Sequence, residues 1–180
     1  MKKFILLICM LFIITGCQNE NTAKDVVEDY LVSYQDLEYQ VLVDMEEVIS
    51  KESDFTDDQK NVYRDILKKQ YSDLTFNVLN EKYNKNEASV VVEISVYDYY
   101  KAEKNAILYQ EENLQKFYDD ENNYSLETYL NYKLSAFQST LERVDHKLEF
   151  NLIKEDGIWK LKNVSNEVLE KIHGIYDYEE

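Results

Sequence analysis

Two cysteine thiols, two imidazoles, one acidic loop and 16 tyrosines are the groups in this chain that could do chemistry. The imidazoles, His146 and His173, fall on different expected elements and lack the spacing of a ligand pair. His173 stands beside Gly174 and reads as a helix-end residue. The acidic run Asp119-Asp120-Glu121-Asn122-Asn123 invites a calcium reading. An EF-hand loop needs glycine at its sixth position and glutamate at its twelfth. Counted from Asp119, those positions hold Tyr124 and Leu130. The motif fails, which leaves a solvated loop or a looser calcium site around Asp119, Asp120 and Glu121. Tyrosine offers a rigid apolar body with a polar tip, which suits binding surfaces. Tyr97, Tyr99 and Tyr100 cluster at the end of an expected strand, and Tyr129 and Tyr132 at the start of a later helix. These five form a candidate binding rim. The alternative is that they fill the core. No G-x-S-x-G, Walker or dinucleotide glycine pattern is present. With three glycines in the chain, no phosphate-cradling loop is expected. No catalytic residue, cofactor site or metal ligand is assigned.

The thiols are Cys9 and Cys17. Met1-Lys2-Lys3 is a short basic start, Phe4 to Ile14 is almost unbroken apolar sequence, and Ile14-Thr15-Gly16 precedes Cys17. Charge, apolar run, small residues and cysteine in that order resemble a bacterial secretory signal with a lipobox. The resemblance implies lipid on the Cys17 thiol, cleavage between Gly16 and Cys17, and a domain held on the outer face of the cell membrane. The apolar run is shorter than the roughly 20 residues of a spanning helix. A diacylglyceryl group supplies two chains, and each buried methylene contributes about 0.8 kcal/mol. Cys9 leaves with the signal and Cys17 is consumed, so thiol catalysis, zinc–thiolate sites and disulfides are not expected downstream.

The formal charge of the whole chain is −16, and loss of Lys2 and Lys3 with the signal takes it to −18. Such a surface repels nucleic acid. It favours a basic protein, a cationic peptide or a metal ion, or it simply keeps a tethered domain soluble.

Behind these groups the periodicity sets the elements. Residues 1–16 read as signal, 17–22 as tether and 23–180 as one domain. Ala23, Val26, Val27, Tyr30, Leu31 and Tyr34 repeat at helical spacing. After a break near Gln35-Asp36, Leu37, Val41, Met45 and Val48 repeat likewise. Thr56-Asp57-Asp58-Gln59 has capping-box spacing and opens a third helix to about Ser72. The period then drops to two. Thr75–Tyr83 and Ala88–Tyr99 read as a hairpin with Val90, Val92, Ile94 and Val96 sharing a face with Phe76 and Val78. Helical spacing returns over residues 100–118 and 125–143. In the second of these Leu126, Leu130, Leu134, Phe137 and Leu141 form a stripe, and Ser125 is the expected N-cap. Leu148, Phe150, Leu152, Trp159 and Leu161 belong to a second hairpin turned by Asp156-Gly157. A short helix from Ser165 to His173 ends at Gly174.

Two hairpins separated by helices predict an α+β layer fold: a curved four-stranded antiparallel sheet packed by N-terminal helices and a helical insert. The opening Ala23-Lys-Asp-Val-Val-Glu-Asp-Tyr-Leu, the strand Val90-Val-Val-Glu-Ile-Ser-Val and the closing Lys154-Glu-Asp-Gly-Ile-Trp-Lys-Leu resemble the nuclear-transport-factor-2-like (cystatin-like) lipoproteins of Gram-positive bacteria. That resemblance implies a cone between sheet and helices. It implies no ligand, because the fold hosts many functions. The insert at 100–143 departs from the pattern. The expected role is binding without catalysis. The alternatives are an immunity or inhibitor-like lipoprotein that captures a cationic protein or peptide, and an enzyme using buried carboxylates in the cone.

Overall fold

The structure, a computed structural model, describes residues 21–179. Gly16 and Cys17, with the expected cleavage and lipidation, lie outside the described residues. Three helices come first: α1 (Ala23–Gln35), α2 (Tyr39–Lys51) and α3 (Asp57–Ser72). Thr22 and Thr56 each close a capping box, with Asp25 and Gln59 as the returning side chains. Each box satisfies two amide donors that a helix start leaves without partners. The hairpin β1 (Thr75–Asn84) and β2 (Glu87–Tyr97) follows, then α4 (Tyr99–Glu112), a 3-10 turn at Leu114–Phe117 and α5 (Leu126–Ser139). The second hairpin, β3 (Arg143–Glu155) and β4 (Ile158–Leu161), leads into α6 (Asn166–His173).

The four strands form one antiparallel sheet in the order β1-β2-β3-β4. In its register Val90 faces Phe150 and Val92 faces Leu148. Alternation then sends one side chain in two to the helices. Val90, Val92, Ile94, Val96 and Leu152 are fully buried, and Leu148 and Phe150 nearly so. Val27 and Leu31 of α1 and Leu67 of α3 lie in the same cluster. The sheet's other face carries Glu93, Asp145, Lys147 and Glu149 and meets solvent. The second hairpin turns with Asp156 and Gly157 both at positive φ, as a tight two-residue turn requires.

Three expectations shift. A bulge between Val78 and Asn80 changes the register of β1, so Glu81 and Tyr83 take the inner side of the sheet's far end. The inner face begun by Phe76 and Val78 therefore does not run the strand's length. β2 stops at Tyr97, and Asp98 caps α4 by accepting from the Lys101 amide (2.9 Å). The stripe on α5 keeps Leu130, Leu134 and Phe137 buried. Leu126 is exposed, and Leu141 lies beyond the helix end at 80% exposure.

Candidate functional site

The concave side of the sheet is filled with side chains, so the expected cone is packed. A cleft that joins buried tyrosines and a histidine to exposed carboxylates lies outside it, between α1, α2, α3 and α6. This cleft measures about 250 Å³. Tyr30 and Tyr34 come from α1, one helical turn apart, so their rings share a wall. Val41, Asp44, Met45, Glu47, Val48 and Lys51 come from α2, Tyr71 from α3 and His173 from α6. Helical spacing on α2 places Met45 on the floor and leaves Asp44 and Glu47 exposed at the mouth.

The floor is a chain of hydroxyls and rings. The Tyr30 and Tyr34 hydroxyls are 3.2 Å apart. Tyr34 meets Tyr71 edge to face, with ring centroids 5.1 Å apart. Tyr71 Oη lies 2.9 Å from His173 Nδ1, a hydrogen bond whose direction follows the imidazole tautomer. Burial pushes the Tyr30, Tyr34 and Tyr71 hydroxyls well above the ordinary tyrosine range, and the Asp44 carboxylate adds to the rise at all three. Burial also holds His173 down at about 4, a neutral ring at pH 7. The cleft therefore offers the half-buried Tyr30 ring, over a buried floor of Tyr34 and Tyr71, beside the Asp44 and Glu47 carboxylates. Lys51 lines the same cleft, 3.1 Å from Glu47.

The five rim tyrosines named from the sequence do not form an exposed rim. Tyr97, Tyr99 and Tyr100 are 9%, 2% and 8% exposed. The cause is the turn from β2 into α4, which tucks this run beneath neighbouring elements. Tyr97 donates to Asp73 (2.8 Å), and Lys69 bonds both partners. The Lys69 ammonium beside Asp73 is the main reason its carboxyl lies below the usual range. Tyr99 stacks on Phe137 at 5.0 Å, and Tyr100 packs against Tyr178 at 4.9 Å. Tyr129 and Tyr132 are partly buried in the insert. Tyr132 stacks on Tyr109 at 4.7 Å, and both Tyr129 and Tyr132 meet Phe117. These five are packing residues.

The Asp119 carboxylate is occupied by its own turn. It accepts from the amides of Glu121 (2.9 Å) and Asn123 (2.8 Å), and the Asn123 amide leads in lowering its carboxyl. Asp120 and Glu121 are exposed, and no three potential metal ligands converge among the described residues. His173 is the last residue of α6, as its place beside Gly174 indicates, and it is also buried against Tyr71. His146 is also buried, its ring between those of Tyr176 and Tyr178 (5.7 and 6.2 Å). Burial is the main cause that lowers its affinity for a proton.

Sequence reasoning singled out neither Tyr30 and Tyr34 nor Tyr71 as site residues, although it placed the first two on the inner face of α1. The available signal was a polar tip on an apolar stripe, Tyr30 and Tyr34 four residues apart. Comparison with known protein families, curated proteins and solved structures gives no match.

Proposed function

We propose that this chain is a cell-envelope lipoprotein, lipidated at Cys17, whose domain of nuclear-transport-factor-2-like type binds a cationic protein or peptide without catalysis. The observation that carries the reading is the cleft itself: tyrosine rings beneath the Asp44 and Glu47 carboxylates. Aromatic faces attract cations, by about 0.5–1 kcal/mol at exposed sites and more when desolvated. Carboxylates at the mouth add steering that fades with salt. A net charge of −18 after signal removal extends that steering over the molecule. The same groups are poorly placed for proton transfer. The tyrosines hold their protons far above neutral pH, and His173 refuses one until about 4. This supports binding over chemistry in the cleft. An immunity or inhibitor-like role is one form of such capture.

The test is calorimetric titration of an arginine-rich peptide into the mature protein. Asp44→Asn with Glu47→Gln should weaken binding roughly fivefold or more, about 1 kcal/mol, and raised salt should weaken the wild type further. Affinity unchanged by the double substitution would contradict the cleft as the site. Lipidation is tested separately, by mass spectrometry of the N-terminal peptide from the membrane fraction. A diacylated Cys17 is expected, and an unmodified Cys17 or a retained Met1 segment would refute it.

A further inference from the structure

The start of α1, the two hairpin turns and a group of lysines meet at one end of the domain. The Thr22 cap of α1 and the following Ala23 lie near the Tyr83 hydroxyl, which donates to Glu81 at 2.7 Å. Tyr83 in turn meets Trp159 edge to face at 5.6 Å. The Asn86 carbonyl accepts from the Lys154 amide at 2.7 Å, and Lys162 reaches Glu87 at 2.8 Å. The turns at 84–87 and 155–158 therefore stand side by side, next to the point where the described chain begins.

This end differs from the rest of the molecule in charge and in apolar exposure. Residues 81–87 and 154–162 hold five lysines against four acids, whereas the whole chain holds 20 bases against 36 acids. Lys82 and Lys85 make no ion pair among the described residues. Lys82 and Lys162 line a shallow hollow of about 200 Å³ with Asn84, Ser89 and Asn151. At the tip of the second turn Ile158 is 63% exposed, and Tyr83, at the same end of the sheet, is 50% exposed. Exposed apolar and aromatic side chains among lysines that slightly outnumber the acids are the composition of a membrane-interface contact.

We propose that this end seats on the membrane surface, with Ile158 and Tyr83 at the headgroup level and Lys82, Lys85, Lys160 and Lys162 facing lipid phosphates. The inference rests on the anchor at Cys17. Four residues separate Cys17 from Thr22, so five Cα steps give a reach of at most about 18 Å. So short a tether presents the α1 start to the bilayer. The docked end is the one where bases outnumber acids, so the strongly acidic remainder, repelled by anionic headgroups, points away. The cleft, lined by Tyr30 and Tyr34 from the later half of α1, lies away from the docked end.

The test uses the mature chain coupled through its Cys17 thiol to a maleimide lipid, so the anchor is set chemically and a failure of natural lipidation leaves the result intact. Vesicles are phosphatidylcholine with and without phosphatidylglycerol, each containing brominated phospholipid. Trp159, the single tryptophan, lies next to Ile158 and reports contact by quenching. We expect quenching that is stronger with phosphatidylglycerol. Ile158→Asp should abolish most of it, and Lys82→Glu with Lys85→Asp should remove the phosphatidylglycerol dependence. All three positions are exposed, and unchanged circular dichroism would verify the fold. Absent quenching, or quenching that neither phosphatidylglycerol nor these substitutions alter, would overturn the proposal.

Discussion

Gln70 is fully buried on α3 and acts as an extra piece of strand. Its Oε1 accepts from the Tyr97 amide at 2.9 Å, and its Nε2 donates to the Tyr97 carbonyl at 3.1 Å. Gln70→Leu keeps the volume and strands both backbone groups. Each buried unpaired group costs about 1–3 kcal/mol, so denaturant unfolding should show a loss of about 2–4 kcal/mol. A loss under about 1 kcal/mol would mean that Tyr97 finds other partners. His173 gives the second residue-scale prediction. The unfolded chain takes up a proton near 6.5 that the folded ring refuses until about 4. Between those values the unfolded state binds more protons, so stability falls as pH drops through that window. The full effect at His173 is about 3 kcal/mol. His173→Gln, which keeps a partner for Tyr71, should remove that share of the pH dependence and leave the share His146 contributes. A slope unchanged in the variant would place the titration elsewhere. Neither Gln70 nor the Tyr71–His173 pair was legible in the sequence. Their partners lie 27 and 102 residues away, and local periodicity carries no such pairing.

At the scale of elements, caps and alternation were legible because they are local. Thr56 and Ser125 cap α3 and α5 as their spacing indicates, and Gly174 ends α6 in the left-handed conformation. Thr56→Ala should cost about 1 kcal/mol. Gly174→Ala should cost more than a cap alone. A Cβ there would stand 2.3 Å from the Tyr97 carbonyl, at a φ of +76° that side chains rarely adopt. Thermal melts of the two variants check the order, and a milder effect for Gly174→Ala would contradict the close approach of α6 to the strand end. What the pattern missed was register. The bulge in β1 depends on the pairing with β2, not on β1's own sequence. The rim failed for a related reason. Periodicity put tyrosines at the strand end, and only the packing of α3 and α5 over that end decided that they are core. Trp159 was placed inward correctly, yet it lies at the sheet's margin under Tyr83.

At the scale of the molecule, composition gave the sign of the surface and left its distribution unread. Thirty-six acids against 20 bases describe an average. The fold gathers lysines near the start of α1 and sets Asp44 and Glu47 over a tyrosine-lined cleft. The α+β order of helices and hairpins was legible, because each change of period marks an element. The cleft was not, because its walls come from four helices brought together by the sheet. The central claim is that cationic groups enter this cleft. Ring-selective carbon NMR of tyrosine, recorded while an arginine-rich peptide is titrated into the mature protein, tests it most directly. The account predicts that the Tyr30 and Tyr34 resonances move first and saturably, that Tyr109 and Tyr132 in the insert stay still, and that Asp44→Asn diminishes the movement. Shifts confined to other tyrosines, or none at peptide concentrations that bind by calorimetry, would contradict it.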